Sequence, residues 1–277
     1  MKLATLTVAG GTTAAVDIDG AWHALPFSDV GAALADAAWR DTVAAAASTA
    51  PIDSPDFALL LPAPGKVICC GLNYSDHILE MGRELPTFPT LFAKYADTLC
   101  SATDDIVLYG ASDKVDWEVE LAVVIGTTIV RGDRAEASAA IAGYTAANDV
   151  SMRDWQNRTL QWFQGKAFDA TTPIGPVFVT ADALDPVKGL AVSCAVNGEE
   201  MQRGNTSQLV FDAADLVSYV SQFTTLRPGD LVLTGTPGGV GMGMTPPRFL
   251  ADGDVLTTTV EGIGTLTNRI RVAAASA

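Results

Sequence analysis

The stretch DWEVELAVVIG (116–126) places three carboxylates at the start of a segment that otherwise has the composition of a buried strand. Because the side chains of a strand alternate between its two faces, Asp116, Glu118 and Glu120 share one face. Further along, the same face becomes apolar, and the opposite face is apolar throughout. The pattern predicts that Glu118 and Glu120 lie where this strand enters the protein interior.

A buried cluster of acids has an electrostatic cost. Two like charges about 4 Å apart repel by roughly 4 kcal/mol at an effective dielectric constant near 20. Such a cluster therefore needs a cation, or it must take up protons. A solvated strand face is the alternative interpretation of a Glu-x-Glu pair, and the apolar continuation of the strand favours the buried one.

A third acid, Asp149, ends a second strand-like run, GYTAANDVS (143–151). Three carboxylates make an all-oxygen ligand set that suits Mg²⁺, Mn²⁺ or Ca²⁺ and is poor for zinc. Zinc is disfavoured further because the chain has only two histidines, His23 and His77. Three carboxylates leave part of an octahedron open, which is typical of a catalytic ion.

The composition narrows the range of partners. The chain has 277 residues, of which 48% are hydrophobic and 18% charged, as expected for a globular protein. Its net charge of −15 argues against nucleic acid or an anionic membrane as a partner. An anionic substrate would need a local cation. We expect a cytoplasmic protein without a signal peptide or membrane span, with its four cysteines as buried free thiols.

Two regions differ in pattern along the chain. Residues 1–65 are predicted to form a small N-terminal α+β domain, with an alanine-rich helix over 31–48 and a proline-rich linker. Residues 66–277 read mostly as strands, including an Asn-Gly hairpin in LAVSCAVNGEEMQ (190–202). Four short helices are expected there, in SDHILEM, RAEASAAIAGY, DWQNRTLQWF and FDAADLVSYVSQF. The predicted fold class is a β-rich mixed α/β domain.

The segment GLNYSDHILEM (71–81) contains a candidate catalytic pair. His77 and Glu80 are three residues apart, so a helix would place them on one face. A glutamate that accepts from one imidazole nitrogen leaves the other free to act as a base on water. A surface pair without function is the alternative. His23 has no such neighbour, and we assign it no role.

The glycine-rich stretch TGTPGGVGMG (234–243) follows a predicted strand. It lacks the patterns of a phosphate loop and of a dinucleotide-binding turn, so it does not predict a nucleotide. Its glycines would let backbone amides approach an anion. A tight loop without a ligand fits the pattern equally well.

Several stretches together resemble the fumarylacetoacetate hydrolase family. They occur in the family's order from about Lys66 to Arg271: GLNYSDHILEM, LFAKY, DWEVELAVVIG, GYTAANDVSMRDWQ, GKAFD, PIGP, VNGEEMQRGNT, RPGDLVLTGTPGGVG and EGIGTLTN. The resemblance implies a mixed β-roll catalytic domain and a homodimer.

The resemblance also implies roles for single residues. Glu118, Glu120 and Asp149 match the family's divalent metal ligands, with Mg²⁺ or Mn²⁺ as the ion and Ca²⁺ as a substitute. Lys166, in GKAFD, matches a catalytic lysine directed at the substrate near the metal.

His77 and Glu80 match the catalytic dyad on a mobile lid of the acylpyruvate hydrolase branch. Contacts with the substrate are implied for three further residues, namely Gln156, Thr236 and Lys94. Leu72 departs from the pattern, because some acylpyruvate hydrolases have an arginine at that position. Arg83, shortly after the dyad, is our substitute candidate for binding another end of the substrate.

The sequence therefore predicts a divalent-metal-dependent hydrolase that cleaves a carbon–carbon bond in small anionic 2,4-dioxo acids of the acylpyruvate or fumarylpyruvate type. A metal-bound pyruvate enolate and a water activated by the dyad would carry the reaction. Two alternatives use the same metal site, namely an oxaloacetate decarboxylase and an isomerase of the 2-hydroxymuconate type. A non-catalytic protein with a structural ion is the more distant alternative.

Overall fold

The computed structural model describes residues 1–80, 82, 84–110 and 112–273, without the side chains of His77 and Glu80. The strands are β1 (Lys2–Val8), β2 (Gly11–Ile18), β3 (Ala21–Ala24), β4 (Val67–Gly71), β5 (Thr90–Lys94), β6 (Leu99–Cys100), β7 (Ile106–Leu108), β8 (Val115–Asp116), β9 (Val119–Ile125), β10 (Ile141–Asn148), β11 (Ser151–Met152), β12 (Thr172–Thr180), β13 (Ala191–Val196), β14 (Glu199–Asn205), β15 (Leu231–Leu233), β16 (Val255–Val260) and β17 (Gly264–Val272). The helices are α1 (Val30–Ala35), α2 (Trp39–Ala46), α3 (Ser75–Glu80), α4 (Arg134–Ala140), α5 (Arg153–Gln156), α6 (Phe163–Lys166) and α7 (Ala213–Ser221). The predicted β-rich mixed α/β class is confirmed.

Two sheets form most of the molecule. The larger has the strand order β3-β2-β1-β12-β10-β9-β15-β4-β5, with β6 beside β12, and the smaller has the order β14-β13-β16-β17-β7. Strands β9 and β10 of the larger sheet contact β13 and β16 of the smaller one, and residues of both share one hydrophobic core. Because β1 pairs antiparallel with β12, the N-terminal strands continue the larger sheet. The division at residue 65 stays a prediction.

Strand β9 alternates between two cores, as its sequence predicts. Leu121 and Val123 belong to the core between the sheets, whereas Ala122 and Val124 face a second core that includes Val30 of α1. All seven residues of β9 are buried. The acidic face of the segment therefore runs into the second core.

The expected continuous strand over 116–126 is divided, however, because β8 ends at Asp116 and β9 begins at Val119. Side chains replace strand partners at the break. The Glu118 amide donates to the Asn148 side-chain oxygen at 2.9 Å, and the Val119 amide donates to Gln202 Oε1 at 2.9 Å. The break lies next to the acidic cluster.

The predicted turn is confirmed, and two predicted helices are not. Asn197 and Gly198 both have positive φ, 53° and 82°, between the antiparallel strands β13 and β14. The expected helix in DWQNRTLQWF ends after one turn, at Gln156, and the chain becomes helical again only at Phe163. The alanine-rich stretch is divided at Asp36, whose carboxylate accepts from the Ala38 amide.

The predicted state of the cysteines is confirmed. Four free, buried thiols lie in the described part of the chain, and burial raises the pKa of the Cys70 thiol to about 12. Within the described ranges no helix is long and apolar enough to cross a membrane.

Candidate active site

Three acids meet where β9 and β10 run antiparallel. Glu120 pairs with Ala147 across the two strands, and the amide of Asp149, just past β10, donates to the Glu118 carbonyl at 2.9 Å. Ligand oxygens of Glu118, Glu120 and Asp149 lie within 4.8 Å of one another, and all three residues are buried. The structure thus brings together the three predicted metal ligands.

Two buried lysines lie against this cluster. Lys166 Nζ is 2.8 Å from Glu118 Oε2 and 2.7 Å from Asp149 Oδ2, and Lys94 Nζ donates to Asp149 Oδ1. Burial opposes ionisation of Asp149, but the ammonium groups of Lys166 and Lys94 outweigh it and hold the pKa of that carboxyl below its usual value. Burial likewise opposes the charge on Lys166, and the two carboxylates raise its pKa. Lys94 therefore lies beside the acids, where its charge offsets theirs.

Glu120 differs from its two neighbours. Its carboxylate accepts from the Gly235 amide at 2.7 Å and forms no ion pair with any described cation. Burial raises the pKa of Glu120 well above its usual value, and the Asp149 and Glu118 carboxylates raise it further. Glu120 therefore needs a proton or an additional cation.

A third cation, Arg153, holds one side of the cluster. Its Nε is 2.7 Å from Asp116 Oδ2, and its Nη1 is 2.7 Å from Glu118 Oε1. With Asp116 included, four buried carboxylates adjoin three buried cations, Lys94, Lys166 and Arg153. With all four carboxylates ionised, the described side chains of the cluster would carry one negative charge in excess. An all-oxygen, anionic, buried ligand set of this kind fits a hard divalent cation.

Asp116 has a different role from the two glutamates on its face. It accepts from the amides of Gly241 and Met242 at 2.6 and 2.9 Å, as well as from Arg153. It therefore joins the glycine-rich loop to the acidic cluster. Sequence reasoning missed both Asp116 and Arg153 in this role, although they lie inside DWEVE and SMRDWQ, the motifs that were singled out.

The remaining predicted residues are distributed around the cluster. Gln156 is buried and accepts from Arg153 Nη1 at 2.9 Å, and Thr236 accepts from Gln202 Nε2 at 2.8 Å. His77 and Glu80 lie on α3, but their side chains, like the whole of Arg83, fall outside the described residues.

The loop that follows β15 is attached to the segment before α3. Asn73 Nδ2 donates to the Thr234 carbonyl at 2.8 Å and to the Phe211 carbonyl at 2.9 Å. Gly235 has a φ of +100°, and a Cβ there would lie 2.9 Å from the Cys70 carbonyl oxygen. The close approach requires a glycine, which the TGTP motif supplies.

Beside this loop lies a cavity of about 360 Å³ with mostly polar walls. Tyr74 is buried on its wall, and the hydroxyl of Tyr74 has no hydrogen-bond partner among the described residues. Burial raises the pKa of Tyr74, and the Glu120 carboxylate raises it further, so the phenol stays protonated. The other residues that line the cavity are Asp76, Glu200, Met201, Gln202, Arg203, Gln208, Pro237, Gly238 and Gly239.

Comparison with known proteins agrees with this architecture. The family model of the fumarylacetoacetate (FAA) hydrolase C-terminal region matches residues 66–271. A mitochondrial oxaloacetate tautomerase of Rattus norvegicus is 44% identical over 232 residues, which cover 83% of this chain and 74% of the relative.

Two solved structures share the fold. A fumarylacetoacetate hydrolase from Exiguobacterium antarcticum is 33% identical with a TM-score of 0.88, covering 99% of this chain and 100% of that one. A 5-carboxymethyl-2-hydroxymuconate delta-isomerase from Mycobacterium smegmatis is 35% identical with a TM-score of 0.81 and the same coverage. The chain is a member of the fumarylacetoacetate hydrolase family.

Proposed function

We propose that this protein is a divalent-metal-dependent enzyme that forms the enolate of a small 2-oxo acid, and that its reaction is the interconversion of the enol and keto forms of oxaloacetate. The observation that carries the proposal is the buried set of Glu118, Glu120 and Asp149, whose carboxylates, when all are ionised, outnumber the adjoining ammonium groups of Lys94 and Lys166. The 44% identity to a protein named oxaloacetate tautomerase supports the choice of substrate.

Glu118, Glu120 and Asp149 would hold the ion. When bound, Mg²⁺ or Mn²⁺ would supply Lewis-acid polarisation of the 2-oxo group and offset the charge of the substrate carboxylate. A cation at this position also makes an anionic substrate acceptable to a protein with a net charge of −15.

Lys166 is placed to stabilise the enolate. An ammonium group has three N–H donors, and Lys166 gives one to Glu118 and one to Asp149. Its third N–H can donate to the substrate oxygen on which negative charge accumulates. In the metal-free protein the Asp149 and Glu118 carboxylates raise the pKa of Lys166 against the effect of burial, which favours a role as hydrogen-bond donor. We propose His77, paired with Glu80 on α3, as the group that carries the proton.

Hydrolysis of an acylpyruvate is the second candidate. It would use the same enolate as the leaving group and would add an attack of water on the 4-oxo carbon. The His-x-x-Glu pair on α3 favours it, because enolisation alone needs no activated water. The likeness to a fumarylacetoacetate hydrolase supports it as well.

The test follows the ultraviolet absorbance of enol-oxaloacetate as it converts to the keto form, and the loss of acetylpyruvate and fumarylpyruvate in parallel assays. We expect enol loss to be accelerated by the protein, abolished by EDTA and restored by Mg²⁺ or Mn²⁺. Lys166→Met should lower kcat by about 100-fold or more. The exposed Lys188 provides the matched control, and Lys188→Met should retain full activity.

The outcomes separate the candidates. Metal-restored loss of an acylpyruvate without acceleration of oxaloacetate tautomerisation would move the assignment to hydrolase. Release of CO₂ and pyruvate from oxaloacetate would move it to decarboxylase. An acceleration that EDTA leaves intact would contradict the metal site itself.

A further inference from the structure

The aromatic ring of Phe92 lies against the ammonium group of Lys166. Lys166 Nζ lies over the face of this ring, 5.1 Å from its centroid. A lysine ammonium within about 6 Å of a ring centroid is attracted by the negative charge of the aromatic face. The attraction is stronger where water is excluded, and Lys166 is only 2% exposed. Phe92 is therefore a neighbour that stabilises the charge of Lys166.

The contact with the ring leaves one N–H of Lys166 free. The ammonium group has three N–H donors, of which one goes to Glu118 and one to Asp149. The attraction of a ring face acts on the charge as a whole, so it does not require the third N–H to bond to the protein. Among the described residues, that N–H has no hydrogen-bond acceptor.

Strand β5 supplies both the ring and a second lysine of the site. Phe92 and Lys94 are two residues apart on β5, so their side chains share one face of the strand. Lys94 Nζ donates to Asp149, as Lys166 Nζ does. One strand thus carries one ammonium group of the acidic cluster and the ring that adjoins the other.

Trp162 joins the Phe92 ring to the helix that carries Lys166. It immediately precedes α6, and its ring centroid is 5.8 Å from that of Phe92 at an interplanar angle of 68°, an edge-to-face arrangement. A Cβ at Gly71, the last residue of β4, would lie 2.3 Å from Trp162 Cζ3. Trp162 therefore packs directly on β4, the strand paired with β5. This packing fixes the Phe92 ring relative to Lys166.

We propose that Phe92 is a positioning residue for Lys166, whose ammonium group it holds so that the third N–H can donate to the enolate oxygen of the substrate. Phe92 acts through Lys166 and does not itself need to contact the substrate. The inference rests on the proposed function for the role of Lys166. It predicts that the charge distribution of the ring at position 92, and not only its volume, contributes to the rate of the reaction.

The first test changes the charge on the ring face and keeps the shape of the side chain. Codon suppression replaces Phe92 with 3,4,5-trifluorophenylalanine, whose fluorines withdraw negative charge from the face of the ring. With Mg²⁺ present, we expect kcat for enol-oxaloacetate to fall about tenfold and KM to change by less than about twofold. Phe92→Leu, which removes the ring, should lower kcat at least as much. Phe92→Tyr, which keeps a ring, should retain most of the activity.

A double-mutant cycle measures the contact itself and needs no substrate. It combines Phe92→Leu with Lys166→Met and follows urea unfolding of all four proteins with Mg²⁺ present. We expect Phe92→Leu to change the unfolding equilibrium constant about tenfold more when Lys166 is present than when methionine replaces it. The fluorinated ring gives a second measure in a protein that retains Lys166, where it should destabilise the fold in the same direction.

Phe57 provides the matched control. It is partly buried and makes an edge-to-face pair with Trp22, with ring centroids 5.7 Å apart at 88°, and it bridges to Leu6 of β1. Within the described part of the chain no cation lies over its ring. Trifluorophenylalanine at position 57 should leave kcat unchanged, and Phe57→Leu should show no coupling to Lys166→Met.

Three results would overturn the inference. A fluorinated ring at position 92 that left kcat unchanged would show that the ring contributes only its volume. Additive effects in the double-mutant cycle would show that no attraction joins the ring to the ammonium group. A rise in KM with kcat unchanged would place the ring in substrate binding. Failure of the proposed function is distinguishable, because the wild type itself would then lack EDTA-sensitive turnover.

Discussion

Arg153 connects two carboxylates that serve different purposes. Its guanidinium contacts Asp116, which holds the glycine-rich loop, and Glu118, which belongs to the proposed metal site. All three side chains are buried, so their charges are compensated within the cluster and not by solvent. Removing one partner of a buried pair leaves an uncompensated charge, which costs more free energy than the pair contributes when it is intact.

We therefore expect Arg153→Met, which keeps an apolar stem of similar length, to lower the free energy of unfolding by about 3–5 kcal/mol. Arg158 is the matched control, because it lies nearby in sequence, is half exposed, and is 3.9 Å from Asp154. Arg158→Met should cost about 1 kcal/mol or less. Urea unfolding of the two variants measures both losses of unfolding free energy. Equal losses would show that the buried contacts of Arg153 stabilise the protein no more than the exposed pair of Arg158 does.

The residue-scale site could be predicted in part. Alternation along the strand placed Glu118 and Glu120 on one face, and the position of Asp149 at the end of a second strand-like run suggested the third ligand. The partners of these acids could not be predicted, because Lys94, Arg153 and Lys166 reach them only through the fold. Spacing along a chain indicates which face a side chain occupies, but not which charge lies opposite.

In the glycine-rich loop, close packing explains why one position must be glycine. A Cβ at Gly241 would lie 2.0 Å from the Arg248 carbonyl oxygen and 2.9 Å from Asp116 Oδ1. By contrast, a Cβ at Gly243 would meet only Val240 Cγ2, at 3.7 Å. Two glycines of one loop thus differ sharply in the space around them.

Gly241→Ala should push the loop away from Asp116 and break the contact of that carboxylate with the Gly241 amide. We expect a loss of unfolding free energy of about 1–3 kcal/mol, together with weaker Mg²⁺ binding. Gly243→Ala should be close to neutral in both measurements. If thermal unfolding and metal titration gave the same values for the two variants, the loop would not be anchored at Asp116.

At the scale of elements, the strands were easier to predict than the helices. The Asn-Gly turn between β13 and β14 follows from local chemistry, since both residues adopt positive φ. The segment DWQNRTLQWF has helical spacing, yet it breaks after Gln156. The break lets Arg153 and Lys166 both reach Glu118. Tertiary contacts thus override a local helical preference that a sequence pattern alone would extend.

On the scale of the whole molecule, the titration of Glu120 should make the stability of the metal-free protein depend on pH. The pKa of Glu120 is raised, so the folded metal-free protein binds that proton more tightly than the unfolded chain does. Its contribution to stability is full below the usual glutamate pKa and is lost as the pH rises through the folded pKa. The pKa of Asp149 is lowered, so its contribution is lost only in acid, below its usual range.

We expect the melting temperature of the metal-free protein to fall as the pH rises above the usual glutamate range. A divalent ion replaces the proton at Glu120, so Mg²⁺ or Mn²⁺ should raise the melting temperature more at higher pH. An ion at a hundred times its dissociation constant adds about 2.7 kcal/mol to the free energy of unfolding.

Glu120→Gln tests the cause, because it removes the charge and keeps an oxygen that can accept from Gly235. The metal-free variant should melt higher than the metal-free wild type at higher pH and should respond less to added ion. Calorimetric scans of both proteins, with EDTA and with Mg²⁺, measure all four states. A variant that kept the full metal response would remove Glu120 from the ligand set. A wild type whose melting temperature rose with pH in EDTA would place the dominant titration at another group.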